Sequence, residues 1–117
     1  MITRDELIES ITEIFNSQPE YPFKKFPTYA VFRHKRNKKW FAIITDVAKE
    51  KIGLSGKEKI DIIGIKLNSD LIALLLTKEG YFPAYHMNKE HWVSISLEAV
   101  TKKELLQWVE ESYLLTK

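Results

Sequence analysis

Residues 28–46, TYAVFRHKRNKKWFAIITD, decide the fold because two strand-forming runs surround one short polar segment. Thr28–His34 and Trp40–Asp46 are rich in aromatic and β-branched residues, which favour strands. The segment between them, Lys35–Lys39, is polar, and Asn37 tolerates the positive φ that a tight hairpin turn requires. The stretch therefore predicts a β-hairpin, and we call residues 33–39 the basic turn.

The segments that follow extend this hairpin into a sheet. Lys59–Leu67 and Trp92–Leu97 alternate apolar residues with small or polar ones, as strands with one buried face do. Ser69–Leu76 predicts a short helix between them. Val47–Glu58 is the most loop-like stretch, with room for a further short strand, and residues 81–91 are expected to be irregular.

Both ends of the chain carry the pattern of a capped amphipathic helix. Thr3 and Glu6 form a capping box before apolar residues at helical spacing, and Pro19 ends that helix. Thr101 and Glu104 form a second box near the other end. Two amphipathic helices need a surface to bury against. The sequence therefore predicts an α/β (α+β) fold, a twisted antiparallel sheet with the N- and C-terminal helices packed on one face.

The length and composition narrow the class of protein. A chain of 117 residues with 44% hydrophobic residues fits one globular domain spanning residues 1–117. The absence of cysteine excludes disulfides, thiolate metal sites and cysteine nucleophiles. No apolar run approaches the ~18 residues of a membrane span, and the first residues lack a signal-peptide pattern. We therefore expect a cytoplasmic protein without a membrane role.

Positive charge is concentrated around the hairpin. Residues 21–45 contain seven Lys and Arg side chains and no acidic one, whereas residues 1–20 contain five acidic side chains and one basic. Lys and Arg neutralise phosphates, and such contacts give affinity with little sequence choice. The basic turn therefore predicts a wing that contacts a nucleic-acid backbone; an ordinary solvated turn is the alternative.

The segment YHMNKEHW, residues 85–92, is a second candidate site. His86 and His91 are five positions apart, but a catalytic zinc site needs about three ligands and the HExxH arrangement is absent. Three interpretations stay open: a metal site, a turn capped by Asn88, and polar contacts at the edge of the basic surface. The chain also lacks a GxSxG elbow and a phosphate-binding loop. We therefore expect no enzymatic activity and no cofactor.

Several stretches resemble the MmcQ/YjbR-like family of small bacterial proteins, over nearly the whole chain. They are residues 25–44, 62–70, 85–95 and 104–115, and the most specific are YHMNKEHW and the pair Ser112-Tyr113. The resemblance implies a frataxin-like (CyaY-like) fold and DNA binding by a double wing of sheet hairpins. Ala84 departs from the family pattern, in which glycine is expected. The sequence therefore does not determine the backbone dihedral angles of that turn.

The residues and the resemblance together predict a DNA-binding protein that mainly contacts phosphates. The basic turn is the first wing, and YHMNKEHW contributes the second. No recognition helix is evident, so we expect little sequence preference. The residues expected to contact nucleic acid are Arg33, His34, Lys35, Arg36, Lys38, Lys39, Lys24, Lys25, His86, Asn88, Lys89 and His91.

The frataxin-like resemblance also implies an alternative of another class. Frataxin-like proteins bind metal and partner proteins through an acidic first helix, and here that helix carries Asp5, Glu6, Glu9 and Glu13. Acidic residues near a helix N-terminus also complement its dipole without any binding function. The alternative is a protein-interaction adaptor or a weak metal site on the first helix. An acidic helix beside a basic turn would also allow two copies to associate head to tail.

Overall fold

A five-stranded antiparallel sheet organises the computed structural model, which describes residues 1–117. The strands are β1 (Ala30–Arg33), β2 (Trp40–Ala48), β3 (Lys59–Lys66), β4 (Tyr81–Pro83) and β5 (Trp92–Ser96), in the order β1-β2-β3-β5-β4. The helices are α1 (Arg4–Phe15), α2 (Ser69–Leu75) and α3 (Lys102–Thr116). The predicted α+β class is confirmed. None of the helices is long and apolar enough to cross a membrane.

The main hydrophobic core lies between the helices and one face of the sheet. Alternate residues of the central strands point into it, such as Ala42 and Ile44 of β2. Because each fully buried aliphatic or aromatic side chain stabilises by about 1.5–3 kcal/mol, this layer dominates the stability of the fold. Its helical members are Leu7, Ile11, Ile72, Leu75, Leu105 and Val109.

The opposite face of the sheet carries no α-helix, and we call it the helix-free face. It presents Val31, Ile43 and Val47, together with Ile60 and Ile62, in two small buried clusters. Irregular chain and a short 3₁₀ helix, Lys49–Ile52, cover them. Phe23 and Met87 pack on the first cluster, whereas Ile52 and Tyr85 pack on the second. The segments around residues 20–29 and 84–87, together with the 3₁₀ helix, therefore act as the cover of this face.

Capping explains where the terminal helices begin. The predicted box at α1 is confirmed: the Thr3 hydroxyl accepts from the Glu6 N–H, and the Glu6 carboxylate accepts from the Thr3 N–H. At α3, Thr101 accepts from the Glu104 N–H, but the Glu104 carboxylate accepts from the Tyr81 hydroxyl instead. The second box is therefore half formed, because a tertiary contact takes the carboxylate.

Several boundaries differ from the sequence prediction. Strand β2 continues to Ala48, and a 3₁₀ helix (Lys49–Ile52) follows it within the stretch predicted to be a loop. Helix α1 ends at Phe15, where Asn16 adopts a left-handed conformation (φ 49°), and not at Pro19.

Strand β4 lies in the region that we expected to be irregular. It pairs with β5 at three positions, from Tyr81↔Ile95 to Pro83↔Val93. A three-residue edge strand that ends in proline has almost no periodic signal, so only its tertiary pairing reveals it.

The turn between β1 and β2 also differs from the prediction. Positive φ occurs at Lys38 (65°) and not at Asn37. Asn37 contributes through its side chain: its Nδ2 donates to the Thr116 carbonyl at 2.9 Å, and its Oδ1 accepts from the Lys39 N–H at 2.9 Å. The asparagine is therefore an anchor between the turn and the end of α3.

A buried hydroxyl joins α3 to the sheet where two strands separate. Ser112 has no exposed surface, and its Oγ donates to the Phe41 carbonyl at 2.6 Å and accepts from the Lys66 N–H at 2.9 Å. The pairing of β2 with β3 stops one position earlier, at Ala42↔Ile65. The next two residues, Phe41 and Lys66, do not pair directly, and the serine hydroxyl bridges them instead.

We expect Ser112→Ala to lower the free energy of unfolding by roughly 2–4 kcal/mol, because it leaves a buried N–H and a buried carbonyl without partners. Urea denaturation followed by circular dichroism measures this loss. Ser55→Ala, at an exposed loop position, is the control and should stay within about 0.5 kcal/mol of the parent protein. Equal stability of the two variants would contradict the role given to the hydroxyl.

Candidate nucleic-acid interface

Both terminal helices end beside the basic turn. The Ser17 hydroxyl, just beyond α1, donates to the Arg33 carbonyl at 3.3 Å, and Asn37 donates to the last turn of α3. Neither helix has a basic residue in its own last turn. Helix C-termini carry partial negative charge, so the cations of the turn complement two helix ends at once.

Four side chains of the basic turn keep their charge available. Lys35, Arg36, Lys38 and Lys39 are exposed, and none of the salt bridges in the protein uses them. Lys35 and Arg36 line a cleft of about 300 Å³ together with Lys117. Lys35 and Lys38 line a neighbouring cleft of about 480 Å³. This end of the sheet therefore presents an excess of positive charge around two clefts that share lining residues, and Glu20 is the one acidic residue in their walls.

Arg33 has a different environment from the rest of the turn. Its Nε donates to one oxygen of Glu20 at 2.7 Å and its Nη2 to the other at 2.5 Å. These hydrogen bonds from Arg33 hold the pKa of the Glu20 carboxyl below its usual value. The backbone of Glu20 also forms an isolated antiparallel bridge with Val31 of β1. Arg33 therefore fastens the covering segment to the sheet edge, and its charge is already matched.

His34 is buried, which corrects the expectation that it contacts nucleic acid. Its side chain is only 7% exposed, and its ring packs on Tyr113 and Phe41. Its Nε2 lies 2.8 Å from the Thr116 hydroxyl, which itself donates to the Ser112 carbonyl. Because the single hydroxyl proton of Thr116 goes to a backbone carbonyl, we infer that Nε2 of the neutral imidazole carries the ring proton. Burial lowers the pKa of His34 below its usual value.

The predicted second wing lies at the same end of the sheet. Trp92 pairs with Lys66, next to the end of β2, so residues 88–91 are about two strand spacings from the hairpin, roughly 10 Å. Lys89 and His91 are exposed there. Asn88 Oδ1 accepts from the N–H groups of Glu90 and His91, which confirms the capped turn among the three interpretations.

His86 points away from this group. It lies on the helix-free face, stacked on Tyr85 with ring centroids 3.9 Å apart, and its backbone is left-handed (φ 60°). Ala84 has no positive φ and is 1% exposed, so the position where the family pattern expects glycine does not need it. No three His, Asp or Glu side chains converge in a geometry that would hold a metal ion.

Lys25 is also separated from the basic turn. It shares a cleft of about 350 Å³ with Lys51 and Lys59, near the far end of β2. The nine residues of β2 span roughly 25–30 Å, so this cleft is distant from the hairpin tip. Lys24 is exposed beside it in the chain. We call the group Lys25, Lys51 and Lys59 the lysine cleft.

A pocket on the helix-free face was missed by the sequence reasoning. Phe23, Phe26 and Tyr29 line it from the covering segment, together with side chains of β2 and the 84–87 segment. The signal was present in the sequence, since three aromatic residues spaced by three occur among prolines that prevent a helix. Such residues must pack on a surface elsewhere.

A comparison with known proteins identifies the family of this chain. A family model described as YjbR matches residues 12–115. The chain belongs to the YjbR family. That range contains the hairpin, the YHMNKEHW segment and the pair Ser112-Tyr113.

Known proteins are similar to this chain in sequence or in fold. It is 41% identical over 118 residues to the uncharacterized protein YyaQ of Bacillus subtilis (strain 168), with all of both chains covered. A crystal structure of a Pseudomonas syringae protein has a TM-score of 0.96 at 40% identity, covering 99% of this chain and 100% of the other. A Deinococcus radiodurans protein at 24% identity shares the fold, with a TM-score of 0.71 over 98% of this chain and 78% of the other.

The buried state of His34 predicts a pH dependence of stability. Because the folded protein depresses its pKa, the unfolded chain binds the proton more tightly, and stability falls as pH drops below about 6.5. We expect His34→Gln to flatten the profile of unfolding free energy between pH 7 and 5, by at most about 1.4 kcal/mol per pH unit. The control His91→Gln, at an exposed site, should leave the slope unchanged; equal slopes for both variants would contradict the prediction.

The left-handed backbone of Lys38 predicts a stabilising substitution. Glycine adopts positive φ without the clash that a side chain causes, so Lys38→Gly should raise the unfolding free energy by about 0.5–1 kcal/mol. Lys39→Gly is the matched control, because Lys39 has no positive φ, and it should lower stability. Urea unfolding measures both. A loss of stability in both variants would mean that the conformation of Lys38 is not strained.

Proposed function

We propose that this YjbR-family protein binds nucleic acid, DNA in the first instance, through phosphate contacts from the basic turn. One observation carries the proposal: Lys35, Arg36, Lys38 and Lys39 are exposed together at one end of the sheet and form no salt bridge. Cations in this state release bound counterions from phosphates when they bind, which favours association at moderate salt. Lys89 and Lys117 extend the same positive surface.

The anchoring of the turn favours binding over a freely solvated loop. His34 and Asn37 both hydrogen-bond to the last residue of α3, so the backbone that carries the cations is held in place. Less conformational entropy is then lost when phosphates are bound. Lys38 also occupies a left-handed position where glycine is favoured, and such strain is concentrated at functional sites.

The geometry favours low sequence preference. The helices bury their apolar faces in the core, and α1 and α3 end beside the basic turn without extending beyond it as a reading helix would. The exposed side chains of the turn are Lys and Arg, which reach phosphates in any sequence. We therefore expect similar affinity for duplexes of different sequence. The same proposal includes neither a catalytic activity nor a cofactor.

A second candidate is an adaptor that binds a protein partner or a second copy of the chain. Exposed apolar side chains favour it at the ends of the terminal helices: Ile14 is 59% exposed, Leu114 53% and Leu115 52%. They adjoin the contact between Phe15 and Tyr113, so they lie beside the basic turn. Clustered exposed apolar residues mark protein interaction sites.

Fluorescence anisotropy of a labelled DNA duplex across a salt series tests the main proposal. We expect the logarithm of the association constant to fall linearly with log salt at a slope of about −3 to −5, which corresponds to four or five neutralised phosphates. Lys35→Glu/Arg36→Glu should weaken binding by more than tenfold at low salt and reduce the magnitude of the slope by about 2. Both positions are exposed and neither is left-handed, so the variant should fold.

The matched control is Lys102→Glu/Lys103→Glu, a charge reversal of the same size in the first turn of α3. Acidic residues are favourable at a helix N-terminus, so this variant also folds, and it should bind within about twofold of the parent. Equal effects of the two double variants would mean that binding depends on the net charge of the protein and not on the basic turn. No binding at low salt would reject the proposal and favour the adaptor, which a concentration-dependent mass measurement then tests.

A further inference from the structure

The aromatic pocket on the helix-free face has the composition of a site for a flat ring. Its volume is about 290 Å³, near the lower limit of roughly 300 Å³ for small-molecule sites. Most of its wall is aromatic or apolar, and the few polar groups come from a threonine, a histidine and tyrosine hydroxyls. The lining residues are Phe23, Phe26, Tyr29, Trp40, Ile43, Thr45, Tyr85, His86 and Met87.

The rings in this wall are already arranged for stacking. Phe26 lies parallel to Tyr29, with centroids 4.7 Å apart and an interplanar angle of 14°. Phe23 meets both Tyr29 and Trp40 edge-on at 6.0 Å. Phe26 is nevertheless 42% exposed, although it is a large apolar side chain. An exposed phenylalanine at the mouth of an aromatic pocket offers a free face to another ring.

Polar groups in the wall match the edge of a heterocycle. Thr45 is 5% exposed and lines the pocket, and its hydroxyl makes no hydrogen bond to another group of the protein. No fully buried side-chain oxygen or nitrogen lacks a partner, so the Thr45 hydroxyl is accessible from outside. Burial raises the pKa of the Tyr29 hydroxyl to about 12, which keeps it protonated at neutral pH. Both hydroxyls can donate and accept hydrogen bonds.

Positive side chains lie on both sides of the pocket. Lys39 of the basic turn directly precedes Trp40, which forms part of the wall. On the other side the pocket shares Phe26, Tyr29 and Tyr85 with the lysine cleft. Asp46 pairs with Lys59 in that cleft at 3.6 Å, whereas Lys25 and Lys51 form no salt bridge. The sequence of surfaces along the sheet is therefore cations, aromatic rings and cations again, over roughly 25 Å.

We propose that this surface is a track for a single nucleic-acid strand, with one unpaired base held in the aromatic pocket. The proposal rests on the proposed function, because the basic turn holds one end of the strand. Positive grooves with aromatic stacking positions are how proteins bind single strands, and stacking tolerates any base because each has a π-face. A paired base would first have to leave the duplex, at a cost of a few kcal/mol. The track therefore favours single strands over duplexes.

Anisotropy with three labelled probes of equal length tests the track: a single-stranded oligothymidine, the same backbone without bases, and a duplex. We expect the oligothymidine to bind at least fivefold more tightly than the abasic strand, because one stacked base supplies that difference. Phe26→Ala should weaken oligothymidine binding roughly 5- to 100-fold and leave the abasic strand unchanged. Equal affinities of the first two probes, or an unchanged ratio in the variant, would overturn the proposal.

Tyr21→Ala is the matched control, because Tyr21 is 53% exposed, belongs to the same segment and does not line the pocket. It should bind all three probes as the parent does. Lys35→Glu/Arg36→Glu should weaken all three probes in similar proportion, since it removes phosphate contacts and leaves the pocket intact. The two sets of variants thus separate failure of the pocket from failure of the basic turn.

A final measurement does not depend on phosphate binding. Thymidine and adenosine, which carry no phosphate, are titrated at millimolar concentration while backbone amide signals are followed by NMR. We expect shifts at Thr45 and His86 and at the neighbours of Phe26, which Phe26→Ala abolishes. Shifts without strand binding would retain the pocket and reject the basic turn. An absence of shifts together with equal binding of base-bearing and abasic strands would reject the pocket.

Discussion

The hydroxyl groups of Ser112 and Thr116, one helical turn apart on α3, hold the helix against the hairpin, and the arrangement of the basic end depends on them. Ser112 satisfies a carbonyl of β2 and an N–H of β3, while Thr116 meets the ring of His34. The two hydroxyls, the Phe41 carbonyl and the His34 ring are buried, and a buried polar group without a partner is costly. The helix can therefore dock in one position only, and that position sets where the turn lies.

This docking explains why so much positive charge is tolerated in a short turn. The ends of α1 and α3 present partial negative charge to it, and Glu20 neutralises Arg33. The charges that these partners do not absorb lie on the side facing solvent. The same structure therefore stabilises the turn and leaves part of its charge available, so a structural and a binding role for the basic residues are compatible.

Much of the fold follows from local patterns. Alternation in β2 and β3, and the caps of the terminal helices, depend on residues close in the sequence. Strand β4 has no such pattern, and it forms because β5 offers a free edge. The same limit applies to the site. Exposure of Lys35 and Arg36 follows from their polar surroundings, but the partner of His34 is 82 positions away and that of Arg33 is 13 positions away. Pairings of this kind depend on the complete topology, and so does the division of Lys25 from the basic turn.

The sheet has one face covered by helices and the other by loops, and this difference affects how the family can diversify. Helix packing couples many buried side chains, so a change there disturbs the whole core. Loops accept insertions and substitutions with much smaller penalties. A duplicated copy of such a gene could acquire a new ligand by altering residues 20–29 and 84–87 while its helical layer stays the same. Descent from a common ancestor would then transmit the scaffold far more faithfully than the chemistry of its helix-free face.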